Sequence, residues 1–166
     1  PGELKNSVMP LGLASIAAYL KSNNIDVRAI DALAEELNFE EFENRVSQSG
    51  ADIIGIYMTS PRYGEGKKAC EVCKKALPDS IIIAGGPHPS ALPAETLQDI
   101  PQLDICGIGE GEITMLELVQ AIKNNTPLSQ IDGIAFRDGN SGEIIITKPR
   151  DFIKNLDNLP FPARDL

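Results

Sequence analysis

The chain has no tryptophan, a single histidine and only three cysteines in 166 residues. Three tyrosines and five phenylalanines are all the aromatic surface it owns, which leaves little for stacking on a planar ring. An odd cysteine count in a domain of this size argues against a disulfide framework and for a reducing, cytoplasmic setting. No apolar run approaches the ~18 residues of a membrane span, and the first residues lack a basic-then-apolar signal pattern. The expectation is a soluble segment with no membrane partner. Positive charge is also scarce: 15 Lys and Arg stand against 24 Asp and Glu, a net charge of −9. A nucleic-acid binder needs a concentrated basic patch, and none is visible. Lys67-Lys68 and Lys74-Lys75 share one predicted helix with Glu65 and Glu71, the pattern of a solvated helix face. What the chain does have is apolar residues, 42% of the total, enough for a core without cross-links.

Those apolar residues alternate between two periods. Leu13, Ile16, Ala17 and Leu20 mark one face of a helix that Pro10 starts and Asn23-Asn24 stops. Ile25 to Ile30 reads as a strand ending at Asp31. Phe39, Phe42 and Val46 mark a second helix, ended by Gly50. Ile53 to Met58 is a nearly continuous apolar run, as in a strand covered on both faces. A third helix carries Ala69, Val72, Cys73 and Ala76 on its buried face and ends at Pro78. Ile81 to Ala84 is a short buried strand closed by Gly85-Gly86-Pro87. A helical turn near Ala94 to Leu97 precedes a strand around Leu103 to Cys106. Gly107, Gly109 and Gly111 then open a helix whose core face is Met115, Leu118, Val119 and Ile122. After Asn125, Ile131 to Arg137 and Glu143 to Thr147 flank a turn and predict a β-hairpin. The tail, with Leu159-Pro160-Phe161-Pro162, reads as an extended linker.

Alternating strands and helices predict an α/β fold, a doubly wound parallel sheet with helices on both faces. Such sheets bind ligands at the carboxyl ends of their strands. Here those ends carry Thr59-Ser60, Gly85-Gly86-Pro87-His88 and Gly109-Glu110-Gly111-Glu112. Three divisions follow: residues 1–125 as the α/β domain, 126–150 as the hairpin extension and 151–166 as the linker.

Four stretches in this order resemble one family. Met9-Pro10-Leu11-Gly12-Leu13-Ala14 with Ala17-Ala18-Tyr19-Leu20 is similar to the opening helix of the cobalamin-binding domains attached to radical S-adenosylmethionine enzymes. Gly85-Gly86-Pro87-His88-Pro89-Ser90 resembles their central glycine loop, and Gly109-Glu110-Gly111-Glu112 with Thr114 resembles their last loop. Asn155 to Arg164 resembles the connector into their catalytic barrel. The resemblance implies a flavodoxin-like (Rossmann-like) sheet of the cobalamin-binding type, whose first strand is missing from this chain, followed by the hairpin. It implies cobalamin as cofactor, with its nucleotide tail beside Thr59, Ser60, Gly85 and Gly86. Pro87, His88, Gly109, Glu110, Gly111, Glu112 and Thr114 complete the implied cofactor-binding set. The implied role is to present the corrinoid to a downstream radical S-adenosylmethionine domain of the same chain, the [4Fe-4S] cluster and S-adenosylmethionine belonging to that domain alone. The parent enzyme expected on this basis is a methyltransferase or a relative of one.

Two departures from family patterns shape the expectation. Cobalamin domains that ligate cobalt through the protein carry Asp-x-His-x-x-Gly, but here the corresponding loop is Lys5-Asn6-Ser7-Val8. The cluster motif Cys-x-x-x-Cys-x-x-Cys is absent as well, so these residues hold no metal and carry no catalysis. Several residues also have plainer readings. His88 fits a hydrogen bond inside a proline-flanked loop. Cys70, Cys73 and Cys106 fit core packing, since one Cys-x-x-Cys pair cannot complete a tetrahedral site. Glu110 and Glu112 complement a helix dipole, and Asp31 fits a loop cap. A stand-alone nucleotide- or flavin-binding protein and a receiver-like signalling domain are the alternatives. Against a receiver stand the missing acidic pair and lysine; against a flavin stand the few aromatics near the edge, Tyr57 and Tyr63. A missing first strand would leave unpaired edges beside the strands at Ile25 and Ile53, so dimerisation or exchange through an edge is expected.

Overall fold

The computed structural model describes residues 10–139 and 141–166. Met9, the Lys5–Val8 loop and Asn140 lie outside the described residues. The elements are α1 (Leu11–Ser22), α2 (Phe39–Ser49), β1 (Ile53–Tyr57), α3 (Tyr63–Ala76), β2 (Ile81–Gly85), α4 (Pro87–Ala91), α5 (Pro93–Asp99), β3 (Ile105–Gly107), α6 (Glu112–Asn124), β4 (Ile134–Arg137) and β5 (Ile144–Ile146). One five-stranded sheet runs in the order β1-β2-β3-β4-β5. The pairs β1–β2 and β2–β3 are parallel, while β3–β4 and β4–β5 are antiparallel. The predicted hairpin therefore extends the α/β sheet itself.

Strand geometry sends alternate side chains to opposite faces, and the apolar runs supply both. Ile82, Ala84, Cys106 and Ala135 enter one core layer, with Val46, Cys70, Cys73, Leu97 and Ile100 from the helices. Ile83, Ile105, Ile134 and Phe136 enter the other, with Leu118 and Ala121 of α6. Helices α2, α3 and α5 thus cover one face and α6 the other, and α1 packs on α6. A continuous apolar run such as Ile81–Ala84 can exist only because both faces are covered.

Local signals place the helix ends. Asn38 accepts from the backbone N–H groups of Glu40 and Glu41, and Glu41 accepts from the Asn38 N–H, forming a capping box. Gly50 ends α2 at φ +59°. On α3 each lysine has an acidic partner: Lys67 with Asp99, Lys68 with Glu71, Lys74 with Asp104 and Lys75 with Glu43. The basic clusters are a paired surface, as their charge pattern predicts.

The predicted strand at Ile25–Ile30 is not formed; the segment is irregular. Ile25, Val27 and Ile30 are nevertheless partly buried, and Ile30 packs against the α3-side core. A strand also needs a neighbour to receive its hydrogen bonds, and no ladder lies beside this segment among the described residues. Among the described residues the terminal strands of the sheet are β1 and β5, so of the two edges expected beside a missing strand only that of β1 is present. Its residues are correspondingly less covered than predicted: Ile53, Ile54 and Ile56 are half-buried, and Gly55 and Tyr57 are exposed. No helix among the described residues is long and apolar enough to cross a membrane.

Cys70, Cys73 and Cys106 are fully buried in the α3-side layer. Burial pushes the thiols of Cys70 and Cys106 up to about 12 and that of Cys73 up to about 11. The unfolded chain releases these protons near pH 8.5, whereas the folded chain retains them until pH 11 to 12. Their contribution to stability is complete below about pH 8.5 and is lost as pH rises toward 11 to 12, at ~1 kcal/mol per thiol per pH unit. The expected outcome is a urea midpoint that falls between pH 8 and 10.5, less steeply in Cys106→Ala, with native thiols inert to a thiol reagent at pH 8. A midpoint independent of pH would refute this.

Candidate functional site

Because β1, β2 and β3 are parallel, their carboxyl ends share one edge, and the loops at Thr59, Gly85 and Gly109 gather there. Direct bonds tie the three together. The Met58 N–H donates to the Gly85 carbonyl (2.8 Å) and the His88 N–H to the Met58 carbonyl (3.3 Å). Ser60 Oγ and His88 Nδ1 lie 3.0 Å apart. On the other side Ser90 Oγ accepts from the Gly109 N–H at 3.1 Å. The short helix α4 therefore joins the β1 loop through His88 and the β3 loop through Ser90. Ser90 lies in the glycine-loop motif but outside the implied cofactor-binding set. Nothing in sequence alone says that it faces Gly109.

The imidazole of His88 packs against the Tyr63 ring, tilted by 36° with centroids 4.3 Å apart. Tyr63 in turn donates its hydroxyl to Asp99 at 2.8 Å. Burial and that hydrogen bond push the Tyr63 phenol up to about 12, while Lys67 and Tyr63 hold the Asp99 carboxyl below its ordinary value. His88 is thus held from outside its own loop, by Ser60 and Tyr63, where its plainer reading expects a hydrogen bond inside that loop.

The two adjacent glycines do different things. Gly86 has φ +106°, and a Cβ there would meet the Met58 carbonyl and the Tyr57 ring at 2.8 Å. It is required for the loop to cross β1. A Cβ on Gly85 would meet nothing within 4 Å, so this position opens outward from the edge. Gly109, at φ +80°, is open too. Gly111 is not: its Cβ would meet Ile16 Cδ1 at 2.5 Å, so that glycine lets α1 approach the start of α6.

The remaining predicted residues divide. Thr59 is half-buried where β1 ends, with Ser60 and Pro87 exposed beside it. Glu112 begins α6 and complements its dipole. Glu110 and Thr114 point to the C-terminal tail instead: Glu110 Oε2 accepts from the Ile153 N–H at 2.7 Å, and Thr114 Oγ1 accepts from Arg150 Nε at 2.8 Å. Two cavities, of about 510 and 450 Å3, lie elsewhere. One runs along the tail beside Tyr19, Ile113 and Arg150, and the other opens at the amino ends of the strands near Ile81 and Ile105. The carboxyl-end site is an open rim, not an enclosed pocket. No group of three or more potential metal ligands occurs among the described residues.

The edge suits a large ligand with an extended polar arm. It offers an open glycine, hydroxyls at Thr59 and Ser60, and backbone approach between β1 and β2. Gly86→Ala is expected to cost ~2 kcal/mol through its positive φ and crowded Cβ, lowering Tm by several degrees. Gly85→Val is expected to leave Tm within about 2 °C. Thermal unfolding of both variants checks this, and equal losses would contradict the assignment of the two glycines.

Comparisons with known proteins agree with this architecture. An uncharacterized methyltransferase of Pyrococcus horikoshii is 32% identical over 95% of this chain, and the anaerobic magnesium-protoporphyrin IX monomethyl ester cyclase of Synechocystis is 33% identical over 92%. The chain spans only 34% and 31% of those two relatives. Among solved structures, the cobalamin-dependent S-adenosylmethionine radical enzyme OxsB with aqua-cobalamin bound superposes with a TM-score of 0.82 at 23% identity, over 95% of this chain and 22% of that one. The radical S-adenosylmethionine methyltransferase TsrM of Kitasatospora setae, with cobalamin and a [4Fe-4S] cluster bound, gives 0.77 at 15% identity, over 98% and 30%. Both likenesses establish the cobalamin-binding flavodoxin-like fold. The B12 binding domain family model matches residues 2–119, and the chain belongs to that family.

Proposed function

We propose that this domain holds cobalamin along the carboxyl edge of β1–β3 and presents its corrin face to a radical S-adenosylmethionine domain elsewhere in the same protein. The observation that carries the reading is the open position at Gly85, flanked by the hydroxyls of Thr59 and Ser60, on an edge that cross-loop bonds already hold in place. Cobalamin's nucleotide arm would pass beside Gly85, its polar groups meeting Thr59 and Ser60. The amides near Gly109 would face its oxygen atoms. When bound, cobalamin supplies cobalt-centred group or electron transfer. The residues of this chain supply binding, orientation and a fixed rim.

His88 serves the loop in this reading, not the metal. Its Nδ1 pairs with Ser60 and its ring packs on Tyr63, and the segment Lys5-Asn6-Ser7-Val8 contains no histidine. In the relatives, a radical S-adenosylmethionine enzyme accompanies the cobalamin fold; for this chain such a domain, the cluster and S-adenosylmethionine are part of the proposal. So is the absence of a nucleic-acid partner, which the net charge of −9 supports. The open edge of β1 is where a further strand, or a second copy, would pair.

Hydroxocobalamin titrated into the intact protein is expected to give a base-off absorption spectrum that persists in His88→Ala. Gly85→Val is expected to weaken binding at least tenfold with little change in Tm. A histidine-ligated spectrum lost in His88→Ala would overturn the ligation scheme, and no spectral change with the wild type would overturn the cobalamin reading.

A further inference from the structure

We infer that Arg150 is a positioning residue for the cofactor rim, acting through a strap formed by the tail segment 148–153. Its guanidinium is largely buried, with 15% of the side chain exposed, and its donors are directed at three groups. Nε donates to Thr114 Oγ1 at 2.8 Å, the terminal nitrogens pair with the Glu117 carboxylate, and Nη2 also reaches the Asp132 carbonyl at 3.2 Å. Thr114 donates onward to the Glu110 carbonyl at 3.1 Å. Three residues further along the tail, the Ile153 N–H donates to the Glu110 carboxylate at 2.7 Å. Glu110 is thereby held at its main chain through Thr114 and at its side chain by the tail itself.

The strap is anchored to the sheet as well. The Gly133 N–H donates to the Lys148 carbonyl and the Ile108 N–H to the Gly133 carbonyl, both at 2.8 Å. Gly133, at φ +75°, passes so close that a Cβ would lie 3.1 Å from Arg150 Cβ. One connected path thus runs from the tail to Ile108 and Glu110, on the β3–α6 connection that contains Gly109 and Gly111, and to Thr114 in the first turn of α6. A planar fork serves several acceptors at once in a way that an ammonium cannot. The two residues concerned, Glu110 and Thr114, resemble family ligands in sequence yet hold the strap here. Ordering of the tail and ordering of the rim are then one equilibrium, so a ligand on the rim must also protect the tail.

This inference rests on the cobalamin reading for its ligand, but the strap can be tested without it. Backbone hydrogen exchange in the ligand-free intact protein reads it directly. Arg150→Gln is expected to speed exchange at least tenfold at Ile153 and at 109–111, while Ile82 and Ile134 in the core keep their protection. Arg150→Lys should restore it only in part. Thr114→Val, which leaves the Arg150–Glu117 pair in place, should loosen 109–111 in the same way if Arg150→Gln fails to fold. Adding hydroxocobalamin to the wild type should slow exchange at Ile153, and Arg150→Gln should raise its Kd about tenfold. Unchanged exchange at Ile153 and 109–111 in the folded variants, or full rescue by lysine, overturns the strap. If the wild type shows no cobalamin spectrum while Arg150→Gln still frees the loop, the cofactor reading falls and the strap stands.

Discussion

The parallel ladder of β2 between β1 and β3 is the constraint on which the rest of the molecule depends. A parallel pair cannot be closed by a tight turn, so each crossover must carry a helix. The crossover helices α3 and α5 bury one face of β2, α6 after β3 covers the other, and the isoleucines of β2 alternate between the two layers. The same arrangement brings three strand ends to one edge. Without the crossovers, Thr59, Gly85 and Gly109 would not share an edge.

Once gathered, the rim is shaped more by bonds between loops than by any one motif. Gly86 takes a conformation open mainly to glycine so that the chain can cross the end of β1. His88 and Ser90 then reach in opposite directions from a single short helix. A rim held in this way has little left to order when a ligand arrives, which lowers the entropic cost of binding. Openness at Gly85 and rigidity at Gly86 are complementary properties of two neighbouring residues.

Much of this was legible in the residues. The apolar run Ile81–Ala84 marks a strand buried on both faces, and the i, i+3, i+4 patterns mark α1, α2, α3 and α6 because local periodicity decides which faces can be buried. Gly50 and Pro78 punctuate where backbone geometry requires it. The segment Ile25–Ile30 shows the limit of the same logic. Ile25, Val27 and Ile30 are partly buried and Ile30 reaches the core, but pairing is a property of two segments, and no ladder lies beside this one among the described residues. The separate roles of Gly85 and Gly86 were equally hidden, since both are simply glycine until the path of β1 is known.

The sequence by itself determined the class of fold, the order of its main elements and the family, because periodicity, turn residues and short loop motifs are local. Tertiary structure alone decided which polar residues face the rim and which face inward. Glu110 and Thr114 lie within the loop motif, yet Arg150 and Ile153, some forty residues away in the chain, engage them. A side chain's partner depends on what the fold brings within hydrogen-bond distance, and for Arg150 that took the docking of the tail against α6.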